Sequence, residues 1–426
     1  MIDLKGKRLL VLGGGSPSVN VVKFAHEMGM KTYVVDYLDG GEAKELGDEQ
    51  AVISTVDYDA LAAYMKENDI DGVMTGASEF NIVNTMRLCK KINKPFYATE
   101  EQWKICQNKQ NFKRLCREYG VPCVPEYDQE HPESFSYPII VKPTDGCSAR
   151  GISVCENREE YEAAKKKALS YSNEKKIIVE KYIRNGGTTM SVRYIVRDGK
   201  LFLHAVGDRY VLDDTKGKAL ITAAAFYPSK HTDYYIMHVD EKVKRMFEGI
   251  GLKDGALFME SCFADGEVWF YEMGLRISGG MTYLITEKTN DVNELKMLIC
   301  HAVTGSMCEE ADVNKIDPYL NGYYTASLCI PLSEGTISEI KGVEEIKATP
   351  CVNNFTQYWH EGETIEARHI GTLDQLFARV SVIVKNKEDL TEVIDKIIDT
   401  ISIRDTEGKE MFITSKLKDI YNDYIS

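Results

Sequence analysis

Two glutamates stand out in the stretch ALFMESCFADGEVWFYEMGLRISGG at residues 256–280, which reads as two strands about an Asp-Gly turn. Buried carboxylates are unfavourable unless they are paired or bind a metal. A three-residue loop at 265–267 would make Glu260 and Glu272 direct cross-strand partners with Cβ atoms about 5 Å apart. A divalent cation between them would remove their repulsion. A two-residue turn would put them on opposite faces, so the pair predicts a bulged hairpin that binds a metal.

A second stretch, PIIVKPTDGCSARGI at residues 138–152, has features of a phosphate site but lacks the Gly-Lys-Ser/Thr ending of a P-loop. The Lys142 ammonium can reach a phosphate from the end of an apolar strand. The compact residues 145–151 can close their backbone N–H groups over phosphate oxygens, and Arg150 could add a charge. A plain β-hairpin with a polar loop explains the same residues equally well, so the stretch alone leaves both interpretations open.

Further segments could complete such a site. Lys109 shares one face of a predicted helix at 103–119 with apolar residues, so its ammonium either snorkels to water or meets an anion. The apolar strand at 177–183, IIVEKYI, ends in charged residues where backbone groups and apolar walls could hold adenine; an edge strand is the alternative. Arg276, beside Gly279, lies where a substrate carboxylate or a transferring phosphoryl group could dock.

The elements that must position these residues follow from the order of the strand and helix signals. From RLLVLGGG through DGVMTGA, short apolar strands alternate with helical segments, which predicts a parallel α/β domain. From residue 138 the pattern changes to hairpins with Asp-Gly turns in RDGK and ADGE. A third region with short strands and the helix NKEDLTEVIDKIIDTI begins near residue 320.

The glycine run LGGGSPS invites a nicotinamide reading but does not match a dinucleotide fingerprint. Ser16, Pro17 and Ser18 stand where the third glycine of G-x-G-x-x-G is needed. Proline suits the first turn of a helix. The run therefore predicts a tight strand-to-helix turn, with a nicotinamide site as the alternative.

Composition bounds the protein class. The chain has 426 residues, enough for two to four domains, and its formal net charge of −14 argues against a nucleic-acid partner. Eleven cysteines without a Cys-x-x-Cys pair predict reduced, mostly structural thiols. The sequence enters its first strand directly and has no apolar run long enough to span a bilayer, so we expect a cytoplasmic protein without a signal peptide or membrane partner.

Four motifs, in the order in which they occur, resemble the ATP-grasp superfamily. They are the helix lysine, the Lys-Pro strand with its small-residue loop, Glu-Lys-x-Ile, and Glu…Glu-x-x-x-Arg. The resemblance covers the whole chain and implies an ATP-grasp fold of α/β and α+β class. It implies a parallel α/β pre-ATP-grasp domain at 1–105, an ATP-grasp domain at 106–315 and a mixed α+β C-terminal domain at 316–426. ATP and Mg²⁺, with Mn²⁺ as the alternative ion, are the implied cofactors.

The resemblance also implies roles for individual residues. Glu260 and Glu272 would hold Mg²⁺. Arg276 and Lys142 would be catalytic, with Arg276 stabilising the acyl phosphate. The residues implied to bind ATP are Lys109 and Lys142 at the phosphates, Ser148, Ala149, Arg150 and Gly151 in a loop over them, and Glu180, Lys181 and Ile183 at adenine, the last two mainly through their backbone.

The implied activity is that of an ATP-dependent carboxylate–amine ligase, which forms an amide through an acyl phosphate and releases ADP and phosphate. The substrates would be small molecules, and the resemblance makes a homodimer a fair expectation. Two positions depart from the family pattern: Gly274 stands where many members have asparagine, and Thr189 where many have glutamate. The missing asparagine leaves an ATP-binding regulator without catalysis open as an alternative, and similar size and domain order leave a purine-pathway ligase open.

Overall fold

The computed structural model describes residues 3–145, 151–212, 222–307, 312–415 and 417–425. Its N-terminal part is built on a four-stranded parallel sheet with the strand order β3-β2-β1-β4. These strands are β1 (Arg8–Leu12), β2 (Lys31–Asp36), β3 (Glu49–Val52) and β4 (Gly72–Met74). The helices between and after them are α1 (Val19–Glu27), α2 (Glu42–Leu46), α3 (Tyr58–Glu67) and α4 (Glu79–Ile92). The predicted parallel α/β domain is confirmed.

Both faces of this sheet are covered by helices, which explains why β1 is apolar from Leu9 to Leu12. In β1, Leu10 and Leu12 pack in one cluster with Leu61 of α3 and Leu88 of α4. The alternate residues of β1 belong to a second cluster, which contains α1 on the opposite face. Successive strand residues point to opposite faces, so only a continuous apolar run can fill both layers.

The glycine run forms the tight turn that the sequence predicts between β1 and α1. The Gly14 N–H donates to Asp36 Oδ2 at 2.9 Å, and Pro17 lies within a short 3₁₀ turn, Ser16–Ser18, that leads into α1. A Cβ at Gly76 would lie 1.8 Å from the Pro17 oxygen, so only glycine allows this close approach of two loops. The turn is therefore held by the protein's own groups.

The helix predicted at 103–119 is instead two helices, α5 (Glu100–Gln107) and α6 (Lys109–Tyr119). Asn108 separates them, because its side chain accepts hydrogen bonds from the N–H groups of residues 110 and 111 and so begins a new helix. Gly120 ends α6 in the left-handed conformation, as the sequence indicates. The break places Lys109 in the first turn of α6.

A small antiparallel sheet follows, with the strand order β6-β5-β7. Its strands are β5 (Ile139–Pro143), β6 (Ser153–Cys155) and β7 (Ile177–Lys181), and helix α7 (Arg158–Tyr171), which the hairpin pattern did not predict, packs on it. Phe135, Tyr161 and Val179 are buried in the cluster between helix and sheet. This sheet carries Lys142 and Glu180.

The largest sheet has eight strands in the order β12-β11-β8-β9-β10-β13-β17-β15. The strands of its first part are β8 (Thr188–Arg197), β9 (Lys200–Val211), β10 (Thr222–Tyr227), β11 (Gly255–Ala264) and β12 (Glu267–Gly274). The helices of this part are α8 (Thr232–Tyr235), followed by a π-helical turn at Ile236–Asp240, α9 (Glu241–Gly249), α10 (Thr282–Asn290) and α11 (Glu294–Thr304). The two predicted Asp-Gly hairpins are confirmed as β8–β9 and β11–β12.

The C-terminal region contributes three strands to the large sheet and forms a small sheet of its own. Its strands are β13 (Tyr324–Pro331), β14 (Gly335–Lys341), β15 (Val352–Gln357), β16 (Thr364–Ile365), β17 (Leu376–Val384) and β18 (Ser402–Asp405). Its helices are α12 (Val343–Lys347), α13 (Asp389–Thr400) and α14 (Leu417–Ile425). The large sheet thus crosses residue 316, and the three domain limits stay predictions.

Within the described ranges, none of the helices has the length and apolar character that crossing a membrane requires. Eight of the described cysteines are free thiols, whereas Cys300 is disulfide-bonded. The expectation of reduced thiols therefore holds for those eight and is wrong for Cys300.

Candidate active site

Glu260 and Glu272 are direct cross-strand partners on β11 and β12, as predicted. The predicted route to this register is wrong in detail, because the turn has two residues and pairs Ala264 with Glu267. The register instead shifts between Glu260 and Ser261, where Tyr271 is the extra residue on β12. This bulge inside the strand brings both carboxylates to one face, since one added residue reverses the side to which later side chains point.

That face of the large sheet is unusually polar. Going across the strands, Glu260 pairs with Ser191, and Arg209 pairs with Ala225, which pairs with Ser327. We call this side the polar face and define it by eight residues: Ser191, Arg193, Arg209, Tyr227, Glu260, Glu272, Ser327 and Arg379. The opposite side is apolar, with Val192, Met259 and Phe226 in buried clusters. Small and charged residues on a sheet that is otherwise covered indicate a binding surface.

The two glutamates have different surroundings. Glu260 is 9% exposed; its Oε1 accepts a hydrogen bond from Ser191 Oγ at 3.1 Å, and its Oε2 forms an ion pair with Arg209. Arg209 also donates to Thr222 Oγ1 at 2.8 Å. Glu272 is half-buried, and its carboxylate has no hydrogen bond or ion pair with any of the described residues. The carboxylate oxygens of Glu272 are therefore more available to bind a ligand than those of Glu260.

The donor set fits a hard divalent cation bound together with a nucleotide. Within the described part of the chain, no group of three or more histidine, cysteine, aspartate or glutamate side chains could hold a metal alone. Mg²⁺ in nucleotide sites commonly takes one or two carboxylates and completes its shell with phosphate oxygens and water. Two glutamates without further protein ligands match that requirement.

Facing this pair, the small sheet carries a buried cluster of charges. Glu180 is fully buried; Lys142 Nζ lies 2.7 Å from its Oε2, and Lys113 Nζ forms an ion pair with its Oε1. These are ion pairs by distance, although neither carboxylate oxygen meets hydrogen-bond angles. Lys113 also donates to the Val124 oxygen at 2.6 Å. The Lys142 ammonium lies 5.2 Å from the ring centre of Tyr271, so the small sheet meets the polar face next to Glu272.

The electrostatics of this cluster favour the ion-paired state. Burial alone would raise the pKa of Glu180, but Lys142 and Lys113 outweigh it and hold that pKa below its ordinary range. Burial lowers the pKa of Lys113, against the opposing influence of Glu180. Glu180 is thus kept ionised, and it fixes the position of the Lys142 side chain.

Glu180 was expected to bind adenine with its neighbours Lys181 and Ile183, and the structure shows a different environment for its side chain. The Glu180 carboxylate is enclosed by the two lysines, whereas Lys181 is exposed at the end of β7. The Lys181 N–H donates to the Pro125 oxygen at 3.0 Å, so it is already occupied. Ile183 lies between β7 and β8, and among the described residues its N–H has no backbone acceptor.

Arg276 follows directly on β12 and is held by the N-terminal domain. Its Nη2 lies 2.9 Å from Glu79 Oε1, its Nη1 donates to the Ile277 oxygen at 2.9 Å, and its guanidinium lies 5.0 Å from the ring centre of Phe258. Its buried Nε has no hydrogen-bond partner among the described residues. Arg276 is therefore positioned where the N-terminal part of the chain meets β12, and its Nε–H remains available to donate a hydrogen bond.

The remaining predicted residues surround the loop after β5. Lys109 is buried at the start of α6, and its N–H donates to the Thr144 oxygen at 3.1 Å, which brings it next to that loop. Gly151 has a φ of 78° in the left-handed region, and a Cβ there would lie 2.9 Å from Pro143. Ser148, Ala149 and Arg150 lie outside the described residues.

Comparisons with known proteins agree on the kind of protein. A family model described as the D-ala D-ala ligase C-terminus matches residues 106–284. The formate-dependent phosphoribosylglycinamide formyltransferase of Sulfurisphaera tokodaii is 25% identical over 311 residues, which are 70% of this chain and 76% of that protein. The crystal structure of an L-amino acid ligase from Bacillus licheniformis has a TM-score of 0.75 at 18% identity and covers 94% of this chain and 99% of its own. A biotin carboxylase–β,γ-ATP complex from Campylobacter jejuni has a TM-score of 0.77 at 17% identity. The match covers 99% of this chain and 97% of the biotin carboxylase chain.

The predicted resemblance to the ATP-grasp superfamily is confirmed by the family match over residues 106–284 and by these similar structures. The predicted ATP-grasp fold is confirmed, and so is the predicted enzyme class, an ATP-grasp ligase. The roles of individual site residues are not tested by these similarities and stay predictions.

Several residues of the candidate site were missed in the sequence. Lys113 lies four residues after Lys109 on the same helix, and this i, i+4 spacing could have marked both as facing one ligand. Arg209 and Arg379 each stand inside an apolar strand, which is also a signal because buried charges need partners. Glu79, the partner of Arg276, gave no such signal, since its contact spans nearly two hundred positions of the chain.

Proposed function

We propose that this protein is an ATP-dependent carboxylate–amine ligase that forms an amide bond through an acyl phosphate. The observation that carries the proposal is the alignment of Glu260 and Glu272 on the polar face, opposite Lys142. Phosphoryl transfer depends mainly on positioning and on neutralising phosphate charge. Two carboxylates for Mg²⁺ on one sheet and buried lysines on the other are suited to that task.

The nucleotide would lie between the small sheet and the polar face. Lys142 and Lys109 would contact the phosphates, and the loop 148–151 would close over them. The Lys181 oxygen and the Ile183 N–H would bind adenine, in agreement with the unused N–H of Ile183. Mg²⁺ held by Glu260 and Glu272 would neutralise phosphate charge and polarise the γ-phosphoryl group.

In the first chemical step, an oxygen of the carboxylate substrate attacks the γ-phosphorus and the bond to the bridging oxygen of ADP breaks. The amine then attacks the acyl carbon, inorganic phosphate leaves, and the nitrogen loses a proton. Arg276 would stabilise the charge on the acyl phosphate with the Nε that has no partner among the described residues. Glu180 would act as a positioning residue that holds Lys142 toward the phosphates.

The curated relatives support a narrower candidate within the same chemistry. The name of the Sulfurisphaera tokodaii relative identifies formate as the carboxylate and phosphoribosylglycinamide as the amine acceptor of that enzyme. A purine-type substrate pair is therefore the second candidate for this chain. An ATP-binding regulator is the alternative outside catalysis, because Gly274 removes one side chain that many family members use near the metal.

The test is to measure ADP release by the full-length chain with pairs of carboxylates and amines, including formate with phosphoribosylglycinamide. We expect release that requires both members of a pair and that falls by at least ~100-fold in Glu272→Gln, the loss typical of removing one electrostatic stabiliser. Release of no ADP with any pair, although ATP binds, would favour the regulator. Unchanged release by Glu272→Gln would refute the metal assignment.

A further inference from the structure

Arginine guanidinium groups on and beside the polar face fall into two pairs that differ in their partners. Arg209 has the Glu260 carboxylate, and Arg276 has the Glu79 carboxylate at 2.9 Å. These two positive charges are compensated inside the protein. Arg193 and Arg379 form no ion pair with any carboxylate of the described residues.

The lack of compensation is clearest at Arg193, which is only 5% exposed on β8. Its Nη2 donates to Tyr227 Oη at 3.1 Å, while its Nε and Nη1 are buried and find no acceptor among the described residues. The Nε of Arg379, on β17, is buried without an acceptor as well. A buried charge without a partner is strongly unfavourable, so such groups usually await a ligand of opposite charge.

Glu294, at the start of α11, is a buried carboxyl group that interacts electrostatically with Arg193. It compensates the positive charge of Arg193 poorly. Burial raises the pKa of Glu294 to about 7, and Arg193 opposes that rise. The carboxyl group is therefore only partly ionised at neutral pH. His204, also buried nearby, has its pKa lowered by burial and by Arg193 to about 3 and stays neutral.

The two uncompensated arginines converge on one point. A Cβ built on Gly280 would lie 3.7 Å from Arg193 Nη2, 3.7 Å from Arg379 Nη1 and 3.5 Å from Ser278 Oγ. Because both nitrogens lie 3.7 Å from the same point, Arg193 Nη2 and Arg379 Nη1 cannot be farther apart than twice that distance. The missing side chain of Gly280 leaves room for at least a methyl group beside both guanidinium groups, and this is the point at which an anion would contact them. A carboxylate or phosphate matches the donor geometry of a guanidinium.

We propose that Arg193 and Arg379 bind an oxyanion, a carboxylate or a phosphate monoester, on a part of the substrate that does not react with ATP. This inference rests on the proposed ligase function and adds that one substrate carries a second anionic group. The site is distinct from the metal pair because it includes Arg379 on β17, although Arg193 on β8 lies next to the strand that carries Glu260. The anion would anchor the substrate while its reacting end points toward Arg276.

The proposal is tested by thermal unfolding of the full-length chain without ATP, at constant ionic strength, with glycerol phosphate or succinate as the probe. We expect one of the two anions to raise the Tm of the wild type. A preference for glycerol phosphate indicates a phosphorylated substrate, and a preference for succinate indicates a second carboxylate. A Tm that neither anion raises above the sodium chloride control would overturn the proposal.

Gly280→Ala and Gly279→Ala form a matched pair for the same measurement. The new methyl at position 280 makes only ordinary contacts in the free protein, but it occupies the space between the two guanidinium groups, whereas nothing lies within 4 Å of a Cβ at position 279. We expect Gly280→Ala to weaken anion binding by at least tenfold and Gly279→Ala to bind like the wild type. Equal binding by both variants would contradict the site.

Arg193→Gln separates a ligand-binding role from a structural one. If Arg193 awaits a ligand, the variant keeps or exceeds the Tm of the free wild type, because an uncompensated charge is removed, and it loses the stabilisation by the anion. A large fall in the Tm without ligand would mean that Arg193 is paired within the protein, and would overturn the proposal. Glu272→Gln should retain anion binding, so failure of the ligase function and failure of this site give different results.

Discussion

The two sheets that meet at the candidate site treat charge in opposite ways. In the small sheet, the Glu180 carboxylate is enclosed by Lys113 and Lys142, and no water reaches it. On the polar face of the large sheet, Glu272 has no cationic partner among the described residues, and Arg193 has no anionic one. The charged cluster of the small sheet is therefore paired throughout, whereas the polar face contains both a paired carboxylate, Glu260, and charged groups without a partner among the described residues.

This difference helps to identify groups that position other side chains, although paired groups such as Lys142 and Glu260 can also contact a ligand. A buried, paired carboxylate such as Glu180 orients its neighbours, and its removal mainly affects stability. An unpaired charge persists in a folded protein at a free-energy cost, which function can explain. Glu180 is then a positioning residue, although its place in the motif resembles that of a ligand contact.

The largest effect is expected from Glu180→Gln, which leaves two buried ammonium groups without an anion. Removing one partner of a buried ion pair typically destabilises a protein by about 3–5 kcal/mol. The free energy of unfolding, measured with urea, should fall by that amount. A fall of less than ~1 kcal/mol, the size of an exposed pair, would mean that the small sheet does not depend on this cluster.

Glu162→Gln provides the matched control for that measurement. Glu162 forms an exposed i, i+4 ion pair with Arg158 at 3.0 Å on α7, which covers the same sheet. Exposed helical pairs of this kind contribute about 0.3–0.5 kcal/mol. The two variants carry the same chemical change, so their difference reports the burial and the second ion pair of Glu180.

A second prediction concerns pH and the polar side of the comparison. Burial raises the pKa of Glu294 from the ordinary 4.5 to about 7, so the folded state binds its proton more tightly than the unfolded state. Glu294 therefore reduces stability progressively as pH rises from 4.5 to 7, by about 3 kcal/mol at 1.36 kcal/mol per pKa unit. Unfolding free energies at pH 5 and pH 7.5 should show this decline in the wild type and less of it in Glu294→Gln. An identical pH dependence in both would contradict the assignment.

The smallest effect is expected from Lys181→Ala at the adenine end of the small sheet. The Lys181 side chain is exposed, and only the backbone is expected to contact adenine, so ATP affinity should stay within about twofold. Ile183→Pro removes the backbone N–H and should weaken ATP binding by about fivefold, the equivalent of one hydrogen bond of ~1 kcal/mol. Isothermal titration with ATP measures both, and a larger loss in Lys181→Ala would place the side chain in the site.

Much of this arrangement could be predicted from sequence because it depends on local pattern. Apolar strands alternating with helices indicate the parallel N-terminal sheet, and the Asp-Gly turns indicate the two hairpins. The cross-strand pairing of Glu260 with Glu272 was predicted from the hypothesis that the two carboxylates share a cation, and the pairing itself is confirmed. The position of the bulge at Tyr271 could not be predicted, since any extra residue in the hairpin gives the same register.

Contacts between residues that lie far apart in the sequence could not be predicted from local sequence patterns. The break at Asn108 was missed because the apolar spacing continues across it, and capping by an asparagine side chain overrides that spacing. The pairing of Arg276 with Glu79 and the convergence of Arg193 and Arg379 on Gly280 depend on how distant elements pack. A charged residue inside an apolar strand shows that a partner is needed, without showing which one.

The most direct test of the central claim, that Glu260 and Glu272 bind Mg²⁺ together with ATP, is the Mg²⁺ dependence of nucleotide affinity. Calorimetric titration with a non-hydrolysable ATP analogue, with and without Mg²⁺, should show tighter binding with the ion in the wild type. In Glu272→Gln that gain should shrink by about tenfold or more, while binding without Mg²⁺ stays close to that of the wild type. An equal gain from Mg²⁺ in both proteins would contradict the account.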